Sequence, residues 1–147
     1  GLAAQLVSKE GESDRERIGA LSQQLLDDLT SRLQSDGLGK PKLNGPVDER
    51  IKNTLNLRFV GADAEAVIAS APGVEISTGS ACQSAVTTPS HVLTAMGLDP
   101  KAASECVRIS LGRFTTSNDV QYAAKELADA VVRVDESTEP RETQHGA

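Results

Sequence analysis

The chain has 147 residues, enough for one compact domain with a hydrophobic core. Its only aromatic residues are Phe59, Phe114 and Tyr122 and its net charge is −6, which argues against a base-stacking surface and a phosphate-neutralising stripe, so no direct nucleic-acid partner is expected. Two cysteines exclude a disulfide-rich scaffold, and no apolar run approaches the roughly 20 residues of a membrane span; with no basic region before the first apolar patch, a reduced, cytoplasmic compartment and no membrane are expected.

In chain order, residues 2 to 33 read as helical. Ser13-Asp14-Arg15-Glu16 has the form of a capping box, and Gly11 between Lys9 and Ser13 suggests a break before it. Ile18, Leu21, Leu25, Leu29 and Leu33 then recur at three- and four-residue steps as one apolar stripe. From Ser35 to Asn53 the glycines and prolines predict a loop.

Leu55, Leu57 and Phe59 alternate with Asn56 and Arg58, a half-buried strand over 54–60. Asp63 caps a short helix through Ser70 with Val67 and Ile68 inward. Val74–Ser77 reads as a second strand, followed by the small-residue loop Thr78-Gly79-Ser80-Ala81-Cys82-Gln83-Ser84-Ala85. Thr88-Pro89 opens a helix with Val92, Leu93 and Met96 facing the core, and Asp99-Pro100 caps another ending near Glu105. Val107, Ile109 and Leu111 alternate with Arg108 and Ser110 as a third strand. Thr116 or Ser117 caps the last helix, with Val120, Ala124, Leu127, Val131 and Val134 as its stripe. From Asp135 the chain is polar and without period, and a disordered tail over 135–147 is expected. Interleaved helices and strands place the chain in the α/β or α+β class, a small three-stranded sheet covered by helices.

Few residues stand out chemically. Cys82 sits among glycine, serine and alanine, where a side chain is exposed and backbone amides can stabilise a thiolate; the other reading is a small buried hydrophobe. Cys106, at the edge of an apolar strand, reads as packing. Arg108 leaves the strand face opposite the apolar one, either into solvent or as a fixed guanidinium for a carboxylate. Arg113 suits an ion pair or a phosphate contact. His91 reads as an ordinary helix-start residue, and His145, in the tail, has no specific role. No metal-ligand spacing, P-loop or Ser/His/Asp set is present.

The segment Ser77-Thr78-Gly79-Ser80-Ala81-Cys82-Gln83-Ser84-Ala85 resembles the catalytic-cysteine loop of group I cysteine desulfurases, usually SSGSACTSA. Val107-Arg108-Ile109-Ser110-Leu111-Gly112-Arg113-Phe114-Thr115-Thr116 is similar to that family's IRFSLGRFTT signature, and Leu55–Phe59 to its NVSF-type strand. Gln83 and Thr78 depart mildly from the usual Thr and Ser.

The resemblance implies the C-terminal part of a pyridoxal-phosphate enzyme of the aspartate-aminotransferase fold. Residues 1–35 would be a helix linking to a large domain, and 36–134 the small domain. In that family L-cysteine becomes L-alanine, and sulfur passes as a persulfide to an acceptor protein. Cys82 matches the nucleophile and Arg108 the arginine holding the substrate carboxylate. A homodimer is implied for the whole enzyme. The family's cofactor lysine follows a histidine in the large domain, together with histidine and aspartate contacts to the pyridine ring. None of Lys9, Lys40, Lys42, Lys52, Lys101 and Lys125 follows a histidine. The expectation is therefore no cofactor-binding residue here, a portion of a longer or split enzyme, and no turnover by this chain alone. The alternative is a non-enzymatic sulfur carrier or docking module with Cys82 as its persulfide site. The bland one is a scaffold domain with an inert thiol.

Overall fold

A computed structural model of the chain describes residues 1–78 and 90–138. Its elements in chain order are α1 (Leu2–Ser35), β1 (Lys42–Leu43), β2 (Thr54–Arg58), α2 (Ala64–Ser70), α3 (His91–Ala95), α4 (Pro100–Ser104), β3 (Cys106–Ser110) and α5 (Ser117–Thr138). The three strands form one antiparallel sheet in the order β1-β2-β3.

The alternating strands bury the residues expected of them. Leu55 and Leu57 of β2 oppose Ile109 and Val107 of β3, and all four are buried with Phe59 and Leu111. Onto this face pack α1 through Leu25, Leu29 and Leu33, α2 through Val67, and α5 through Val120, Ala124, Leu127 and Val131. Ile68 is only partly buried, as is Leu21; one position on, Ser22 is fully enclosed instead.

Caps fall where the short polar side chains stand. Asp63 accepts from the backbone N–H of Glu65 and Ala66, and Asp99 from that of Ala102, with Pro100 in the first turn of α4. At α5, Thr116 Oγ1 accepts from Asp119 N while Asp119 Oδ2 accepts from Thr116 N at 2.8 Å, a reciprocal box. Helix α1 ends in a Schellman turn: Leu38 N donates to Leu33 O at 2.8 Å and Gly37 N to Gln34 O at 3.2 Å. Gly37 takes the left-handed conformation this turn requires (φ 79°).

Four expectations are corrected. Helix α1 runs unbroken through Gly11 and the Ser13–Glu16 motif, because Arg113 pairs with both Glu10 and Asp14, one turn apart on one helix face. An interior glycine costs a helix only about 1 kcal/mol, which a long helix packed on the core tolerates. Val74–Ser77 forms no strand; only Ser77 bridges to β3. The third strand is β1, two residues long just after Pro41 at the sheet edge, too short to show an alternation. In α3 only Leu93 faces inward, against Ala103 and Cys106. Val92 and Met96 remain 54% and 48% exposed, since a five-residue helix presents a single residue to so small a cluster. Finally, α5 continues to Thr138, past the expected tail start at Asp135, because Val131 and Val134 keep its last turns on the core. Residues 139–147 lie outside the described residues, as do Thr88 and Pro89.

Candidate functional site on the outer sheet face

The sheet face away from the α1–α5 layer is polar. Directly opposed residues of antiparallel strands share a face, so Thr54 and Ser110, Asn56 and Arg108, and Arg58 and Cys106 form three cross-strand pairs there. Beyond β3, Ser77 opposes Arg108. Beyond β2, Asn44 N donates to Asn56 O at 2.9 Å. A row Asn44–Asn56–Arg108–Ser77 therefore crosses the whole sheet.

Arg108 is exposed, as its place in the strand predicts. Among the described residues its guanidinium has no hydrogen bond or ion pair, so all five N–H donors are open to a ligand. Its backbone is fully engaged: Arg108 N donates to Ser77 O at 2.6 Å, and Ser77 N donates to Arg108 O at 3.2 Å. Cys82 lies outside the described residues, within 79–89. Ser77 stands five residues before it in sequence, so the chain reaches at most about 18 Å from this anchor to Cys82.

One end of the outer face is covered by the α3–α4 segment. There Cys106 is fully buried and its thiol donates to Ala102 O at 3.0 Å. Burial pushes the Cys106 thiol up, only partly offset by a hydrogen bond from Asn44 and the charge of Arg58. A raised thiol is a poor nucleophile, in keeping with a packing role. Beside it, Glu105 is 3% exposed and receives Arg58 Nε at 2.7 Å and Lys101 Nζ at 3.3 Å. Burial works to raise the Glu105 carboxyl, but hydrogen bonds from Arg58, the Gly61 backbone and Lys101 outweigh it and hold it below the usual range.

Arg113 resolves into an ion-pair residue. It binds Glu10 and lies 3.2 Å from Asp14, while Arg17 donates to the carbonyls of Thr115, at 3.0 Å, and Arg113. The two arginines strap the loop after β3 to α1. His91 opens α3 and is exposed, while His145 lies outside the described residues. Asn44, Asn56, Ser77 and Arg17 were not singled out from sequence. Asn56 and Ser77 lie within the motifs that carry the resemblance, Asn44 and Arg17 in none, and the roles of all four depend on pairing between distant segments.

Pyridoxal phosphate, which the resemblance implies, needs a lysine in a desolvated pocket to anchor it. All six lysines are described and all six are exposed, and none follows a histidine. The residues present here do not fit as the anchor of that group. Among the described residues no cluster of metal-ligating side chains occurs, and no helix is long and apolar enough to cross a membrane.

Residues 1–123 match the family model described as aminotransferase class-V. The chain is 48% identical over 134 residues to a cysteine desulfurase of Frankia sp. (strain EuIK1), covering 91% of this chain and 31% of that protein. It is 36% identical over 131 residues to the cysteine desulfurase IscS of Rickettsia bellii (strain OSU 85-389), covering 89% and 31%. Among solved structures, a NifS-like protein from Rickettsia africae ESF-5 superposes with a TM-score of 0.67 at 22% identity, covering 92% of this chain and 33% of that one. Another NifS-like protein gives 0.69 at 21% identity, covering 87% and 31%. The shared fold is thus that of part of a NifS-like protein. The chain spans about a third of the length of the curated relatives it matches.

Proposed function

The chain belongs to the aminotransferase class-V family, and from that premise we propose that it is the C-terminal portion of a cysteine desulfurase. The whole enzyme converts L-cysteine to L-alanine and passes sulfur to an acceptor protein, as a cytoplasmic homodimer. Residues 1–35 link to a large domain, and 36–134 are the small domain, its last helix running on to Thr138. The cofactor, pyridoxal phosphate, is held outside this chain and supplies the electron sink that loosens bonds around the substrate's α-carbon.

The observation that carries this reading is the double backbone bond between Ser77 and Arg108. It ties the segment leading to Cys82 to an arginine whose guanidinium has no partner among the described residues. Arg108 holds the substrate α-carboxylate as a planar fork. Cys82, as thiolate, attacks the substrate sulfur. A sulfur–sulfur bond forms as the substrate's carbon–sulfur bond breaks, that electron pair stays with carbon, and carbon takes up a proton as alanine forms. The persulfide on Cys82 is then within reach of an acceptor protein. A glycine- and serine-rich loop suits a sulfur that must visit two places.

In the complete enzyme, Cys82→Ser should abolish persulfide formation while leaving the cofactor's absorbance in place. Sulfide released from cysteine at the wild-type rate would sink the nucleophile assignment. Arg108→Ala should raise KM for cysteine, since a hydrogen bond to a charged group is worth about 1.5–3 kcal/mol; an unchanged KM counts against it. The isolated chain, given pyridoxal phosphate and cysteine, should make no alanine. Alanine formed by it would overturn the division of labour proposed here.

A further inference from the structure

The polar row beside Arg108 contains a hydrogen-bond chain that runs in one direction. Ala102 O can only accept, so the Cys106 thiol proton points to it, at 3.0 Å. Cys106 Sγ is then left as an acceptor, and Asn44 Nδ2 donates to it at 3.2 Å. The same Nδ2 donates its other proton to Asn56 Oδ1 at 2.7 Å. Asn56 therefore has its carbonyl oxygen turned to Asn44, and its Nδ2 carries two N–H groups with no partner among the described residues.

The position of that amide follows from the backbone. Arg108 uses both its N–H and its C=O on Ser77, so Asn56 and Arg108 face one another as a non-hydrogen-bonded antiparallel pair. In such pairs the Cα atoms stand about 4.5 Å apart and the side chains are closest. Among the described residues, an unpartnered primary amide thus sits directly beside an unpartnered guanidinium, both offering donors only.

We infer that Asn56 is a second donor to the ligand carboxylate held by Arg108, with Asn44 and Cys106 as positioning residues that turn its amide outward. The inference rests on the reading of Arg108 given above. It assigns to this face a ligand with a free carboxylate, such as an α-amino acid, over one with a neutral or amine end in that place. A guanidinium edge takes two lone pairs of a carboxylate, and the amide of Asn56 supplies a donor for a third.

The test uses the complete enzyme, with KM and kcat for L-cysteine and the inhibition constant of cysteamine, which lacks the carboxylate. Asn56→Ala should raise KM for cysteine about tenfold, with kcat within about twofold and the cysteamine constant unchanged. Asn56→Asp keeps the acceptor for Asn44 but removes the outward donors and adds a negative charge, so its KM should rise further. This variant decides the matter if the alanine variant does not fold. Asn44→Leu should raise KM in the same direction by less. The inference is overturned if the Asn56 variants leave KM for cysteine unchanged, or if they weaken cysteine and cysteamine equally, as a merely structural role would. Arg108→Ala separates the two ideas. If it moves the cysteine-to-cysteamine ratio and the Asn56 variants do not, only the role of Asn56 falls. If it too leaves the ratio unchanged, the reading of Arg108 falls.

Discussion

The two faces of the small sheet are built from the same strands and obey opposite rules. Leu55, Leu57, Val107 and Ile109 of the inner face are buried against three helices, with side chains that can make no directed polar contact. Thr54, Asn56, Arg108 and Ser110 of the outer face are partly or fully open, and their value lies in which donor meets which acceptor. One face holds the fold by area removed from water. The other holds a set of directed polar groups, of which only the Arg58–Glu105 end is tied into a buried ion pair. Stability and chemistry are thereby separated by a single residue step along each strand.

Substitutions on the two faces should separate accordingly. Leu57→Ala, at a fully buried inner position, should cost about 2–5 kcal/mol, read as a fall in the urea midpoint at unchanged slope. If it were tolerated, the inner face would not be the main support. Arg58→Met removes the principal partner of buried Glu105. With Arg58 itself partly open to solvent, the expected loss is about 1–3 kcal/mol. The depressed Glu105 carboxyl gives this end of the outer face an acid dependence. Its contribution is full above the ordinary carboxylate range and is lost as pH falls through the lowered value. Glu105→Gln should flatten that limb of a stability–pH curve, and an unaltered limb would show that other carboxylates carry it. Thr116→Ala should cost about 1 kcal/mol by opening the cap of α5, seen as a drop in melting temperature. Ser22→Ala should raise stability by up to about 1 kcal/mol, because the enclosed Ser22 hydroxyl has no hydrogen-bond partner among the described residues. Arg108→Ala should change the melting temperature least, within about 0.5 kcal/mol, despite its expected effect on KM. A large loss of stability there would erase the distinction between the faces.

Much of the inner face was legible from sequence. The alternation at Leu55–Phe59 and Val107–Leu111 and the stripe of α5 each report one buried side, and burial is a local pattern once the period is right. The caps at Asp63, Asp99 and Thr116 were legible for the same reason, since a cap acts over three residues. The unbroken path of α1 was not. Gly11 and Ser13 are local signals for a break, and Arg113, about a hundred residues away, overrides them. The edge strand was missed because Lys42–Leu43 has no pattern to read, while Val74–Ser77 has a pattern but only one residue that finds a partner.

Residue type and spacing sufficed to mark Arg108 as an outward side chain, Cys106 as packing, and the 77–85 segment as a match to a catalytic-cysteine loop. They were enough because each rests on a period of two or on a contiguous motif. The meeting of Asn44, Asn56, Arg108 and Ser77 in one row awaited the fold. Those residues come from four segments, and antiparallel register sets their alignment, so a slip of one position would send every one of them to the other face.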